Sequence, residues 1–166
     1  KKLKRAQNLI KERLDIYKNK LDRLEEFSAF LDNLNSLKNE NPTIRINLLE
    51  EIKSEICQEF NVRIKNLREQ KRESSKLESS PIEINTLKGI KVQIGRNMRQ
   101  NDLISFKFSK KGDLWFHAQE SPGSHVVLKS SSQQPSDEDI QISADLAALF
   151  SKAKMNIKVP ISLVNV

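Results

Sequence analysis

Two short stretches carry most of the side chains that could do chemistry. "GRNMRQND", residues 95–102, sets Arg96, Asn97, Arg99, Gln100, Asn101 and Asp102 behind one glycine. "DLWFHAQESPGSHVV", residues 113–127, holds the only tryptophan, Trp115, and both histidines, His117 and His125. Hydrolysis, metal binding and a grip on a polyanion are the chemistries to weigh. Ser124 adjoins His125, but neighbours in a strand point to opposite faces and make no nucleophile–base pair. No glycine-rich phosphate loop and no G-x-S-x-G elbow occurs. His117 and His125 face each other across a turn, and Asp113 or Glu120 could join them, yet the spacing matches no metal motif. The expectation is therefore no catalytic residue, no self-contained active site, no metal, no cofactor and no small-molecule substrate.

A grip on a polyanion fits better. Residues 88–111 contain Lys88, Lys91, Arg96, Arg99, Lys107, Lys110 and Lys111 against Asp102 alone. Such a cluster on strand ends and turns suits phosphate contacts, which hold a backbone without reading its sequence. Asn97, Gln100 and Asn101 could donate to phosphates, sugars or base edges. The same residues also suit a structured loop, with Gly95 in a tight turn and the amides bonded locally. Trp115 and His117 are two apart on an expected strand, so they share a face opposite Phe116. If exposed, they form a stacking platform for an unpaired base; the alternative is a tryptophan in the core. Asp113 either fixes a histidine tautomer or closes the turn.

The elements that must position these residues divide the chain in two. All four glycines lie at or after Gly89. Glycine weakens helices and serves turns, so the first half should be helical and the second strands and turns. Ile10, Leu14, Tyr17, Leu21, Leu24 and Leu31, with Ser28 filling one slot, step by fours and threes, the repeat of a coiled coil. Phe27, Phe30 and Leu34 add a second stripe towards the distal end. Pro42 breaks the pattern, Thr43 is an expected N-cap, and a second helix runs from Ile44 to Lys76. The reading is a long antiparallel two-helix coiled-coil arm over residues 1–76, about 45–50 Å long. It reaches towards a partner or serves as a dimerising scaffold. Residues 77–86 read as a linker. Residues 87–166 read as a small α+β domain, an antiparallel sheet with one amphipathic helix. Its strands are "IKVQI" (90–94), "LISFKFS" (103–109, with Ile104, Phe106 and Phe108 on one face and Ser105 and Lys107 on the other), "LWFHA" (114–118), "HVVLKS" (125–130) and an edge strand in "IKVPISLV" (157–164). The helix spans 136–154, capped by Ser136 or Asp137.

Bulk properties agree with a polyanion partner. The net charge is +7, with 31% charged and 37% hydrophobic residues. A single cysteine excludes an internal disulfide framework and fits a reducing, cytoplasmic compartment. No apolar run approaches the ~20 residues a bilayer requires, so no membrane partner is expected. The chain opens on Lys1 and closes on "VPISLVNV" while still reading as a strand, so a piece of a longer protein is expected.

"GRNMRQND", "DLWFH" and "PGSHVV", followed by "ADLAALFSKAK", resemble the NFACT-R domain of bacterial ribosome quality control factors, the RqcH or fibronectin-binding protein A-like family. The helical first half resembles the coiled-coil middle region of the same proteins. Met98 departs from the family, which usually has a second Asn there. The resemblance implies an RNA- and ribosome-binding fragment whose partners are large-subunit rRNA and proteins and tRNA. The full-length protein would bind stalled large subunits carrying peptidyl-tRNA and recruit tRNA for alanine tailing of nascent chains. Its NFACT-N and helix-hairpin-helix regions are absent from this sequence. The expected RNA-binding set is Arg96, Asn97, Arg99, Gln100, Asn101, Asp102, Lys107, Lys110, Lys111, Trp115, His117 and His125. Gly95, Asp113, Pro122 and Gly123 shape the turns. The competing reading is a protein-interaction or adhesion module of the fibronectin-binding type.

Overall fold

The computed structural model describes residues 2–36, 41–62 and 79–166. The first half is a helix pair, α1 (Lys2–Ser36) and α2 (Pro42–Glu59). Pro42 opens α2 because the first helical position needs no N–H donor. Asn41, not Thr43, is the N-cap: its side chain accepts from the Thr43 N–H at 2.9 Å. The second helix was expected to run to Lys76. It stops at Glu59, and Asn61 turns the backbone left-handed at φ 51°. The rest of that expectation, residues 63–76, lies outside the described residues.

Among the described residues, the helices pack at one end. Phe27, Phe30 and Leu34 of α1 bury themselves against Leu48 and Ile52 of α2. Phe60 meets Phe27 edge-on at 6.3 Å. Ile10, Leu14, Tyr17, Leu21 and Leu24, the expected coiled-coil seam, are exposed. The packed end is not a distal tip either. Asn33 donates to the Phe150 carbonyl at 2.9 Å, and Lys152 pairs with Glu25 at 3.1 Å, so the end of α1 rests on the second half of the chain.

That second half is a five-stranded antiparallel sheet, β1 (Ile82–Asn85), β2 (Lys91–Ile94), β3 (Leu114–Ala118), β4 (Val126–Leu128) and β5 (Ile161–Asn165), in the order β1-β2-β4-β3-β5. β1 lies inside the stretch expected to be a linker. β5 is an edge strand, and Pro160, just before it, has no N–H to donate, while its carbonyl accepts from the Gln119 N–H at 2.8 Å. Register builds the core: Ile82, Ile94, Val126 and Phe116 stand opposite one another in one row, and Val92, Leu128 and Leu114 in the next. The helix α3 (Asp137–Leu149) covers this face with Ile140, Ala144 and Ala147. Ser136 and Asp139 form a reciprocal capping box at its start.

Residues 103–109 are not a strand. Asn97 caps a short helix that runs Met98–Asp102 and widens into a π-helical turn at Leu103–Lys107. Phe108 N–H closes that turn onto the Leu103 carbonyl at 2.9 Å. Alternating apolar residues fit a strand, but only Ile104 is buried, and Phe106 points into water. Because Phe30 is fully buried where the helix pair packs, Phe30→Ala is expected to cost about 3–5 kcal/mol in urea unfolding. Leu14→Ala, on the exposed shaft, should stay within about 0.5 kcal/mol.

Candidate nucleic-acid interface

The amide-rich loop faces inward. Arg96, Asn97, Gln100 and Asn101 are buried, contrary to the expectation that they contact RNA. Their polar groups serve the fold. The Asn97 side chain accepts from the Gln100 N–H at 2.8 Å and donates to Glu51 at 2.8 Å. Gln100 accepts from the Arg96 N–H at 3.0 Å and donates to the Ser79 carbonyl at 2.9 Å. Asn101 accepts from the His125 N–H at 2.9 Å and donates to the Gly123 carbonyl at 3.3 Å, tying the loop to the "SPGS" turn. Gly95 is required by close approach: a Cβ there would sit 2.8 Å from the Asn101 backbone nitrogen. Gly123 is required likewise, since a Cβ would meet Ser151 Cα at 2.8 Å. Next to it, the Pro122 carbonyl accepts from Lys152 N–H at 2.8 Å.

Two glutamates of α2 complete this loop. Glu51 accepts from Asn97 and from the Ser79 N–H and hydroxyl, at 2.8 and 2.6 Å for the latter two. Glu55 accepts from the backbone N–H groups of Met98 and Arg99 at 3.3 and 3.1 Å. Burial raises the Glu55 pKa, against the pull of those N–H donors. Met98 packs on the apolar cluster of the helix pair. Sequence reading missed both glutamates, because carboxylates four apart on a helix look like a solvated face.

Trp115, His117 and His125 do come together. Trp115 stacks on His117 at 5.7 Å between ring centroids and meets His125 edge-on at 4.9 Å. All three are half-buried, so this is not an open platform. Trp115 Nε1 donates to Ser105 Oγ at 3.0 Å, and that hydroxyl lies 2.8 Å from His125 Nδ1. An indole N–H only donates, so Ser105 Oγ accepts from Trp115, while the proton it shares with His125 Nδ1 sits on either group according to the ring's tautomer. Burial, then the neighbouring His117, lowers the His125 pKa to about 4. Burial also lowers that of His117, opposed by Glu26. Asp113 is on neither histidine. It is buried, closes the turn by accepting from Lys110 N–H at 2.9 Å and Ser131 N–H at 2.9 Å, and pairs with Lys129. Burial alone would raise its pKa, but Lys129 and these N–H groups hold it low. Glu120 is exposed at a left-handed turn, φ 50°.

What faces solvent is a strip around the π-helical turn. Lys107, Lys110 and Lys111 are exposed, and none makes an ion pair among the described residues. Arg99 and Asp102 are exposed close by. Phe106, expected to share one strand face with Ile104 and Phe108, belongs to this strip, with 83% of its surface exposed.

Two outcomes test this division of labour. Glu51→Ala should cost about 2 kcal/mol, since it strands three donors, and should speed amide exchange at Ser79 while β2 and β4 stay protected. The histidine pair should give a pH signature. The unfolded chain takes up a proton near pH 6.5 that folded His125 refuses until about pH 4, so stability falls as pH drops through that window. Between pH 7 and pH 5 the chain should lose on the order of 2 kcal/mol more than its His125→Gln variant in denaturant melts.

Comparison with known proteins places the chain. Residues 82–165 match the NFACT protein RNA binding domain. The chain is 47% identical over 73 residues to the Rqc2 homolog RqcH of Streptococcus suis (strain 05ZYH33), covering 44% of this chain and 13% of that protein. It is 40% identical over 73 residues to the Rqc2 homolog RqcH of Bacillus subtilis (strain 168), covering 44% of this chain and 12% of that protein. The solved C-terminal part of the fibronectin/fibrinogen-binding protein from Streptococcus suis matches with a TM-score of 0.77 and 30% identity, over 99% of this chain and 60% of that one. With the matched domain spanning just over half of its length, the chain belongs to the NFACT protein RNA binding domain family.

Proposed function

We propose that this chain is a non-catalytic, RNA-binding part of a ribosome quality control factor, directed at the large ribosomal subunit in the cytoplasm. The observation that carries this reading is the strip of Lys107, Lys110 and Lys111, exposed and without ion pairs among the described residues, on a domain whose family binds RNA. Lysines held on a turn neutralise phosphates without reading bases. The helix pair, fixed to the domain through Glu51 and Glu55, gives the strip a set orientation relative to α1. For the longer protein we infer binding to stalled large subunits with peptidyl-tRNA, and tRNA recruitment for alanine tailing with the help of the NFACT-N and helix-hairpin-helix regions. Peptidyl transfer would belong to the ribosome.

A second reading, adhesion to a matrix protein, is favoured by the name of the matched Streptococcus suis structure. The lysine strip separates the two. Under the RNA reading, affinity for ribosomal RNA falls steeply with salt, and the triple change K107E/K110E/K111E lowers it at least about tenfold and flattens the salt slope by about 2–3. Fluorescence anisotropy across a salt series measures both. Unchanged RNA affinity in the triple variant, with salt-insensitive binding to fibronectin, would favour adhesion instead.

A further inference from the structure

The geometry points to Phe106 as a stacking platform for an unpaired RNA base, flanked by lysines that hold the adjoining phosphates. This rests on the RNA-binding reading and names the form of RNA: single-stranded nucleotides.

Phe106 is the most exposed aromatic side chain among the described residues, at 83% against 40% for Phe108. Its exposure is built, not incidental. Ile104, two residues before it, is fully buried, and Ser105 is tied to Trp115 and His125. Two residues after it, Phe108 is held from both sides: its N–H bonds the Leu103 carbonyl at 2.9 Å, and its carbonyl accepts from Lys129 at 2.6 Å. Anchored on each flank, the π-helical turn pushes Phe106 and Lys107 outward. Such wide turns recur at functional sites. Phe106 also walls an open groove of about 680 Å³, floored by Phe27, Met98 and Leu103. That volume has room for a base.

The surroundings select the ligand. Lysine is depleted at the centre of protein–protein interfaces, yet Lys107 adjoins the ring and Lys110 and Lys111 follow on the same loop. Glu55, Glu59 and Asp102 also line the groove; carboxylates there repel phosphate but can accept from base amino groups. A nucleotide matches this polarity, with its base towards the groove and its phosphates on the lysine side. A duplex does not, because its base faces are already stacked.

The test uses the full chain, with Phe106→Ala and Phe106→Trp. The probes are an unstructured oligoribonucleotide of about 12 nucleotides carrying 2-aminopurine and a duplex of the same length. Phe106→Ala should bind the single strand about tenfold more weakly, with an unchanged salt slope and less change in 2-aminopurine fluorescence. Phe106→Trp should restore both, and duplex affinity should not move. If the native chain binds the single strand with the expected salt dependence but Phe106→Ala binds it equally well, the platform is overturned and the RNA reading survives. Equal weakening for single strand and duplex also overturns the platform. If the native chain binds neither RNA, the RNA reading fails and the platform with it.

Discussion

Two half-buried carboxylates hold the molecule in one arrangement. Glu51 and Glu55 lie on one face of α2, and each ends among N–H and O–H donors of the second half. A carboxylate leaves water at a cost of several kcal/mol unless donors replace its hydration. Here the donors are the Asn97 amide, Ser79 and the first N–H groups of the helix at Met98–Asp102. The loop must therefore keep its shape to satisfy the glutamates. Gly95 must stay glycine to let Asn101 approach, and Asn101 in turn fixes the "SPGS" turn.

This constraint decides where a ligand can go. Amides that looked suited to base edges are spent on backbone groups and on α2. The half-buried Trp115 is spent on Ser105 and two histidines. What remains for a polyanion is the part of the loop that the seam pushes outward. Lys107, Lys110 and Lys111 supply the charge, and Phe106 supplies an aromatic face.

Local grammar made much of the fold legible. "LWFHA" alternates cleanly after the Gly112 turn, and its strand and inward Phe116 follow from that. Ser136 and Asp139 announce their helix by chemistry that acts within four residues. Phe106 was unreadable for a physical reason: apolar alternation in "LISFKFS" fits a buried strand, whereas the cap at Asn97 starts a helix that carries past it. Glu51 and Glu55 were unreadable because their burial depends on a partner more than 40 residues away, as the 46-residue separation of Glu51 and Asn97 shows. The exposed seam of α1 shows the converse, since a heptad pattern marks an apolar stripe but not what covers it.

The central claim is that RNA meets the strip at residues 103–111 rather than the buried amide loop. Ultraviolet cross-linking of bound RNA, followed by peptide mapping, tests it most directly. Cross-links at Phe106 and its neighbouring lysines, with none at Asn97, Gln100 or Asn101, are the result expected. Cross-links concentrated on the amide loop, or on Trp115 and His117 with the strip unmarked, would contradict it.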